Sequence, residues 1–545
     1  MPPLGRILLG FLVGFNLMTA SCGYETWEEA SSSKSTTGTG VSSGSPTANV
    51  SGGAVNELQL INNQATINVA VADSQTVTLL LVSLGQNGVR QSFEVTSSEN
   101  TAELSEAQFL EVDFDESSTE DHEDLTDSFH DTLRSHEKNI DDETILPQAS
   151  DLRYAVKALQ IGDMKSFKVL ADFNSDSAYS NVSAQLIYTG QDFDIFMDER
   201  DVASLTPEDL EVIAQKFDAT VPDERLLFGD ESDVDGDGKF AILMTREVNA
   251  LGQKYGGLIT GYFYATDLFS EDSYANSNEM EIIYTLVPDP QGSFGSNVPY
   301  DLAINNILPG VLLHEFQHMI NFNQHYFLKG TTSEAPWLNE GLSHLAEDLY
   351  SLDDSIYMPF SGLENPSRIG RYLKNIDQVC FTCGSSLQQR GGSYLFLRYL
   401  YEQAELGQLP YPENGMHFIE LLLSGSYRDI KNITNALSGD PSDITTFEQA
   451  LSQFGLTVYL SGTGKNQDEN LKLDGINLRS VQDDNRGTFL NGPSVIRVES
   501  FPYVQTITGH SLSYLQIPGS LINQTGGEIK INLGQNERFR AYLIK

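Results

Sequence analysis

His314-Glu315-Phe316-Gln317-His318 is the stretch that decides the reading of this 545-residue chain. On a helix, residues four apart lie one turn above another, so the two imidazoles share a face and Glu315 stands beside them. That geometry suits a divalent metal. Catalytic zinc takes three protein ligands and leaves a fourth position to water, whose pKa falls to about 7, while a neighbouring carboxylate can take the proton as water attacks a carbonyl. Glu315 is the expected general base. With nine His and 76 acidic residues in the chain, chance yields on the order of 0.02 such patterns. A buried helix that merely happens to carry two histidines is therefore disfavoured.

The third ligand has to come from elsewhere. A metzincin would place Gly three and His six residues past the second ligand, where this chain has Asn321 and Gln324, and His325 misses the register by one. Glu340 lies 22 positions beyond His318, and the phrase Asn339-Glu340-Gly341-Leu342-Ser343 resembles the downstream glutamate helix of gluzincins such as thermolysin and the aminopeptidase N-like enzymes. Over roughly residues 180–460 the chain resembles the hyicolysin family of secreted bacterial metallopeptidases. The resemblance is carried by residues 233–238 before a strand, Gly261-Tyr262-Phe263, Ser277-Asn278-Glu279, residues 314–321, Trp337 through Ser343, and residues 390–396. It implies a zincin-like catalytic domain with His314, His318 and Glu340 as zinc ligands and Glu315 as catalytic acid/base.

Four residues past Glu340, where thermolysin-like enzymes carry an Asp, stands His344. Glu347, seven past, matches the aminopeptidase N-like spacing and would accept the outer N–H of a ligand imidazole, fixing its tautomer. A transition-state oxyanion needs a donor beyond zinc. The Tyr expected from aminopeptidase N-like enzymes is replaced by Gln388, leaving Tyr394 and Arg390 as candidates against a core-packing reading. Asp233, Asp235 and Asp237 match the first half of an EF-hand loop, but position twelve is Met244 and residues 240–244 read as a strand. A calcium-bracing turn is expected, with a metal-free hairpin as the alternative.

The formal charge of −44 argues against nucleic acid as a partner, since phosphates would be repelled. Much of it sits in residues 111–143, read as a solvated or disordered loop in which His122, His130 and His136 are at most weak metal donors. The apolar run 7–18 follows Arg6 and is too short for a comfortable membrane span, as in a signal peptide. Thr19-Ala20-Ser21-Cys22 resembles a bacterial lipobox, which would lipidate Cys22 and anchor the chain in the cell envelope; the alternative is ordinary secretion. Cys380 and Cys383 fit a local disulfide in an exported protein.

These readings give an α+β chain. Residues 1–21 are the signal peptide, 22–54 a lipidated Cys and flexible Ser/Thr/Gly tether, and 55–198 a β-rich, sandwich-like accessory domain with an acidic insert. Residues 199–460 form the catalytic domain and 461–545 a small C-terminal β domain. Thr206-Pro207 opens a helix through about Phe217, and the strand at 281–285 is expected to form the cleft edge where an extended peptide pairs. The function expected is an exported, membrane-anchored zinc endopeptidase acting on a protein or peptide substrate. Alternatives are a surface lipoprotein that binds through a zincin scaffold, and an aminopeptidase, whose amine clamp is echoed only in part by Glu279-Met280-Glu281.

Overall fold

The computed structural model describes residues 47–49, 55–85, 88–97, 124–140, 159–172, 178–254, 257–350, 365–465, 468–482 and 487–545. The leader, Cys22, His122 and nearly all of the tether lie outside them. Residues Ser45–Lys545 make one compact unit of mixed α and β structure. No described helix is long and apolar enough to cross a membrane.

Five strands near the N-terminus, β1 (Thr47–Asn49), β2 (Val55–Leu58), β3 (Gln64–Asn68), β4 (Thr76–Ser83) and β5 (Gln91–Thr96), pair among themselves only at β1 and β3. They interleave with the last strands of the chain. With β6 (Met164–Leu170), β7 (Tyr179–Thr189), β8 (Phe193–Asp198), β9 (Phe240–Met244), β10 (Gly261–Phe263) and β11 (Ile282–Thr285) placed elsewhere, the C-terminal strands are β12 (Ile496–Arg497), β13 (Tyr503–Ile507), β14 (Leu512–Pro518), β15 (Glu528–Leu533) and β16 (Phe539–Ile544). The two sheets run β1-β3-β15-β5-β13 and β12-β14-β4-β16-β2. Across the expected boundaries at 198 and 461, the first and last strands share one two-sheet core, while β6, β7 and β8 join a third sheet. The cause lies in β4, where Leu79 and Leu81 fill the core between the sheets and Leu80 and Val82 enter the central core. A strand buried on both faces needs a partner on each side, and β14 and β16 supply them.

The third sheet runs β10-β11-β9-β8-β7-β6. Side-chain alternation divides its residues between two cores: Phe240, Ile242 and Met244 of β9 face one way, Ala241 and Leu243 the other. The second face receives α1 (Asp124–Lys138) through Phe129 and Leu133. For residues 129–138 this corrects the solvated-loop reading, because Phe129, Leu133, Arg134 and Glu137 are all buried; the rest of the acidic stretch lies largely outside the described residues. The first face carries α2 (Pro207–Phe228), capped by a Thr206–Asp209 box. This helix runs past Phe217 because Val221 and Phe228 continue its buried stripe. On the second face, α3 (Arg246–Lys254) adds Val248 and Leu251.

Beneath the sheet lies α4 (Leu308–Phe322), every residue of which is buried. Gly261 lets β10 approach it, since a Cβ there would stand 2.4 Å from Val311 Cγ1. Helices α5 (Pro336–Tyr350), α6 (Asn365–Lys374) and α7 (Leu387–Glu405) complete the surroundings of the site. Gly391 allows α6 and α7 to touch, because its Cβ would lie 2.2 Å from the Arg368 carbonyl oxygen. Cys380 and Cys383 are joined in a disulfide just before α7.

Candidate metal centre

His314 and His318 leave α4 one turn apart on the same side, with their Nε2 atoms 3.1 Å from each other. Glu340, from α5, faces both: Oε2 is 3.4 Å from His314 Nε2 and Oε1 is 3.5 Å from His318 Nε2. All three residues are buried, and one ligand atom from each lies within 4.8 Å of the others. Neither Glu340 oxygen accepts a hydrogen bond. Arg390 Nε and Arg134 Nε stand off at 3.5 and 3.9 Å.

The outer imidazole nitrogens are occupied. His314 Nδ1 lies 2.5 Å from Glu347 Oε1, and His318 Nδ1 lies 3.0 Å from Asn339 Oδ1. Both partners are acceptors, so each Nδ1 carries the proton and each Nε2 lone pair faces the Glu340 oxygens. Two imidazole nitrogens converging on a buried carboxylate that accepts no hydrogen bond are poor neighbours for one another but a suitable donor set for zinc. Without a cation the arrangement holds a proton instead. Burial opposes charge on His314, but Glu340 and Glu347 outweigh it and raise its pKa to about 9. Burial and the Arg134 charge push His318 down to about 3. Glu340 resists burial through Arg390 and His318, which hold it well below the usual carboxylate range.

Glu315 points at the same pocket but is not one of the converging donors. Its Oε2 accepts the backbone N–H of Phe263 at 2.8 Å, and burial raises its pKa. The cleft edge is β10, outside β11 in the sheet order, which corrects the expectation for 281–285. His344 shares the Glu347 oxygen at 2.9 Å and lines the pocket with Thr260, Val311, Arg368 and Arg390. His325 lies apart, 3.9 Å from Glu334.

Of the two transition-state candidates, the structure brings only Arg390 to the pocket lining. Tyr394 is fully buried, with Asp348 and Arg398 as its charged neighbours. The partial aminopeptidase clamp is not assembled either. Glu281 instead accepts from Ser232 Oγ at 2.5 Å and from Val234 N at 3.0 Å, bracing the Asp-rich turn. In that turn Asp233, Asp235 and Asp237 gather within 4.8 Å, each accepting a backbone N–H of the loop itself, from Gly238, Asp237 and Lys239.

Sequence reasoning named His130 only as a weak donor in a solvated loop, and missed Arg134, also on α1, and the role of Asn339. For Asn339 the signal was its place beside Glu340. For α1 it was the apolar pair Phe129 and Leu133, one turn apart inside a run dominated by charge.

No family model matches the chain. The neutral metalloprotease ShpI of Staphylococcus hyicus is 25% identical over 277 residues, covering 49% of this chain and 58% of the relative. The chain thus spans a little over half the length of the curated relative it matches.

Proposed function

We propose that this chain is a zinc-dependent endopeptidase of the gluzincin type. The observation that carries the reading is the convergence of His314, His318 and a Glu340 carboxylate that accepts no hydrogen bond, with Glu315 beside them against the cleft edge. Similarity to a neutral metalloprotease supports a metallopeptidase acting on protein or peptide. Zinc in this donor set would supply Lewis acidity toward a peptide carbonyl and acidify water. Glu315 takes the proton from the attacking water and passes it to the leaving amine. Its burial-raised pKa brings it nearer neutral pH, as a group that both accepts and donates requires. Phe263 N–H fixes the carboxylate, while Glu347 and Asn339 fix the two imidazoles.

An exported setting is part of the proposal, supported by the apolar run 7–18 and by the Cys380–Cys383 disulfide. Lipid anchoring through Cys22 rests on its lipobox-like context. Calcium at the Asp-rich turn is a secondary proposal; burial and the Asp237 charge push Asp235 up to about 6, a cost that a cation would relieve.

The reading is tested by elemental analysis and a casein-type peptide assay on protein refilled with zinc. One tightly held zinc per chain and chelator-sensitive hydrolysis are expected, and absence of stoichiometric zinc would refute the assignment. A pH dependence follows. His314 must lose its proton to offer Nε2, and it holds that proton up to about pH 9. Apparent zinc affinity should therefore rise about tenfold per pH unit between roughly 7 and 9, with about one proton released, and flatten above. Calorimetry in buffers of different ionisation enthalpy reads this directly, and an affinity flat across the range would contradict it.

A further inference from the structure

We propose that α1 is an inhibitory segment of the chain itself, seated in the cleft where a peptide substrate would lie; this rests on the peptidase reading above. The key contact is at the free side of β10. Phe263 turns its backbone away from β11, its N–H to Glu315 and its carbonyl to Arg134 Nη2 at 3.1 Å. An extended peptide adding to this edge would need that carbonyl as an acceptor. Arg134 holds it already.

The rest of α1 spans the cleft from wall to wall. Phe129 packs edge-on against Tyr262, with ring centroids 5.5 Å apart, and His136 Nδ1 lies 3.1 Å from Tyr264 Oη. On the opposite wall, Asp131 Oδ1 accepts the backbone N–H of Ser385 at 3.1 Å, at the loop that opens α7. Between the walls, Arg134 reaches toward Glu340, and His130 lines the same pocket as His314 and Glu315. His130 Nδ1 is buried there without a partner.

A permanent wall of the active site would leave the metal and the strand edge open to substrate. This helix covers both. Phe129 and Leu133 hold it to the apolar face of the sheet, whereas the residues that reach into the cleft itself are charged or polar, with Arg134 further paired to Glu137 at 3.0 Å. The polar contacts in the cleft can be exchanged for water or for substrate while the apolar pair remains as the hinge of the segment.

The test uses full-length, zinc-loaded protein carrying Arg134→Ala or, separately, Asp131→Ala at the cleft rim. On a Glu315→Gln background, binding of a fluorescently labelled casein-derived peptide is measured by anisotropy, with hydrogen exchange of residues 124–138 followed in parallel. Expected results are peptide binding at least tenfold tighter, faster exchange confined to α1, and unchanged zinc content. A synthetic peptide of sequence 124–140 should compete with the labelled peptide. Unchanged or weaker peptide binding in both variants would overturn the proposal, making α1 a structural wall. Should Arg134→Ala fail to fold, Asp131→Ala decides alone. A chain that gains peptide affinity yet never holds zinc would sink the peptidase reading and leave the cleft-blocking role of α1 standing.

Discussion

Glu315→Gln is expected to lower peptide hydrolysis by about 10²–10⁴-fold while zinc content stays at the wild-type level. The amide has nearly the shape of the carboxylate and can still accept the Phe263 N–H, but it cannot take a proton from water. Glu315 does not belong to the converging donor set, so its neutralisation leaves His314, His318 and Glu340 in place. Turnover should be measured alone and with Arg134→Ala, so that α1 in the cleft does not mask the comparison. Near wild-type rates in Glu315→Gln would exclude this residue as the base and return the binding-protein alternative to first place.

Glu340→Gln should fail in a different manner. Replacing the anionic donor by a neutral amide is expected to weaken zinc binding by about 100-fold or more, with partial rescue at high zinc. The same change removes the carboxylate that faces Arg390 and Arg134 in a fully buried setting. Breaking such a buried charge arrangement costs roughly 3 kcal/mol or more. A lowered melting temperature should therefore persist in chelator, where no zinc is bound in either protein. Zinc affinity equal to wild type would remove Glu340 from the donor set. Loss of zinc with unchanged stability in chelator would mean that the two guanidinium groups find other partners.

Sequence by itself determined what depends on short-range periodicity. Four-residue spacing puts His314 and His318 on one face of a helix whatever surrounds it. The Thr206–Asp209 box fixes where α2 starts, and the short continuous apolar run 240–244 reads as a buried strand rather than an exiting EF-hand helix. Glu347 was legible through helical spacing too, being seven residues past Glu340, and the structure sets it on His314 Nδ1.

Tertiary structure alone decided what depends on meetings across the chain. A run such as residues 76–83 identifies a strand but not its neighbour, so the insertion of β4 between β14 and β16 left no local trace. Tyr394 and Arg390 are both buried and lie one turn apart on the same face of α7, and only where that helix sits along its axis against its neighbours separates the pocket-lining residue from the one beside Asp348 and Arg398. The acidic run around α1 reads as solvent-loving because charge dominates its composition. Yet Phe129 and Leu133 find an apolar sheet face, and Arg134 finds the Phe263 carbonyl. Burial of a charged helix is favourable only where a folded partner already offers the matching groups, and the carbonyl that receives Arg134 belongs to a residue 129 positions away.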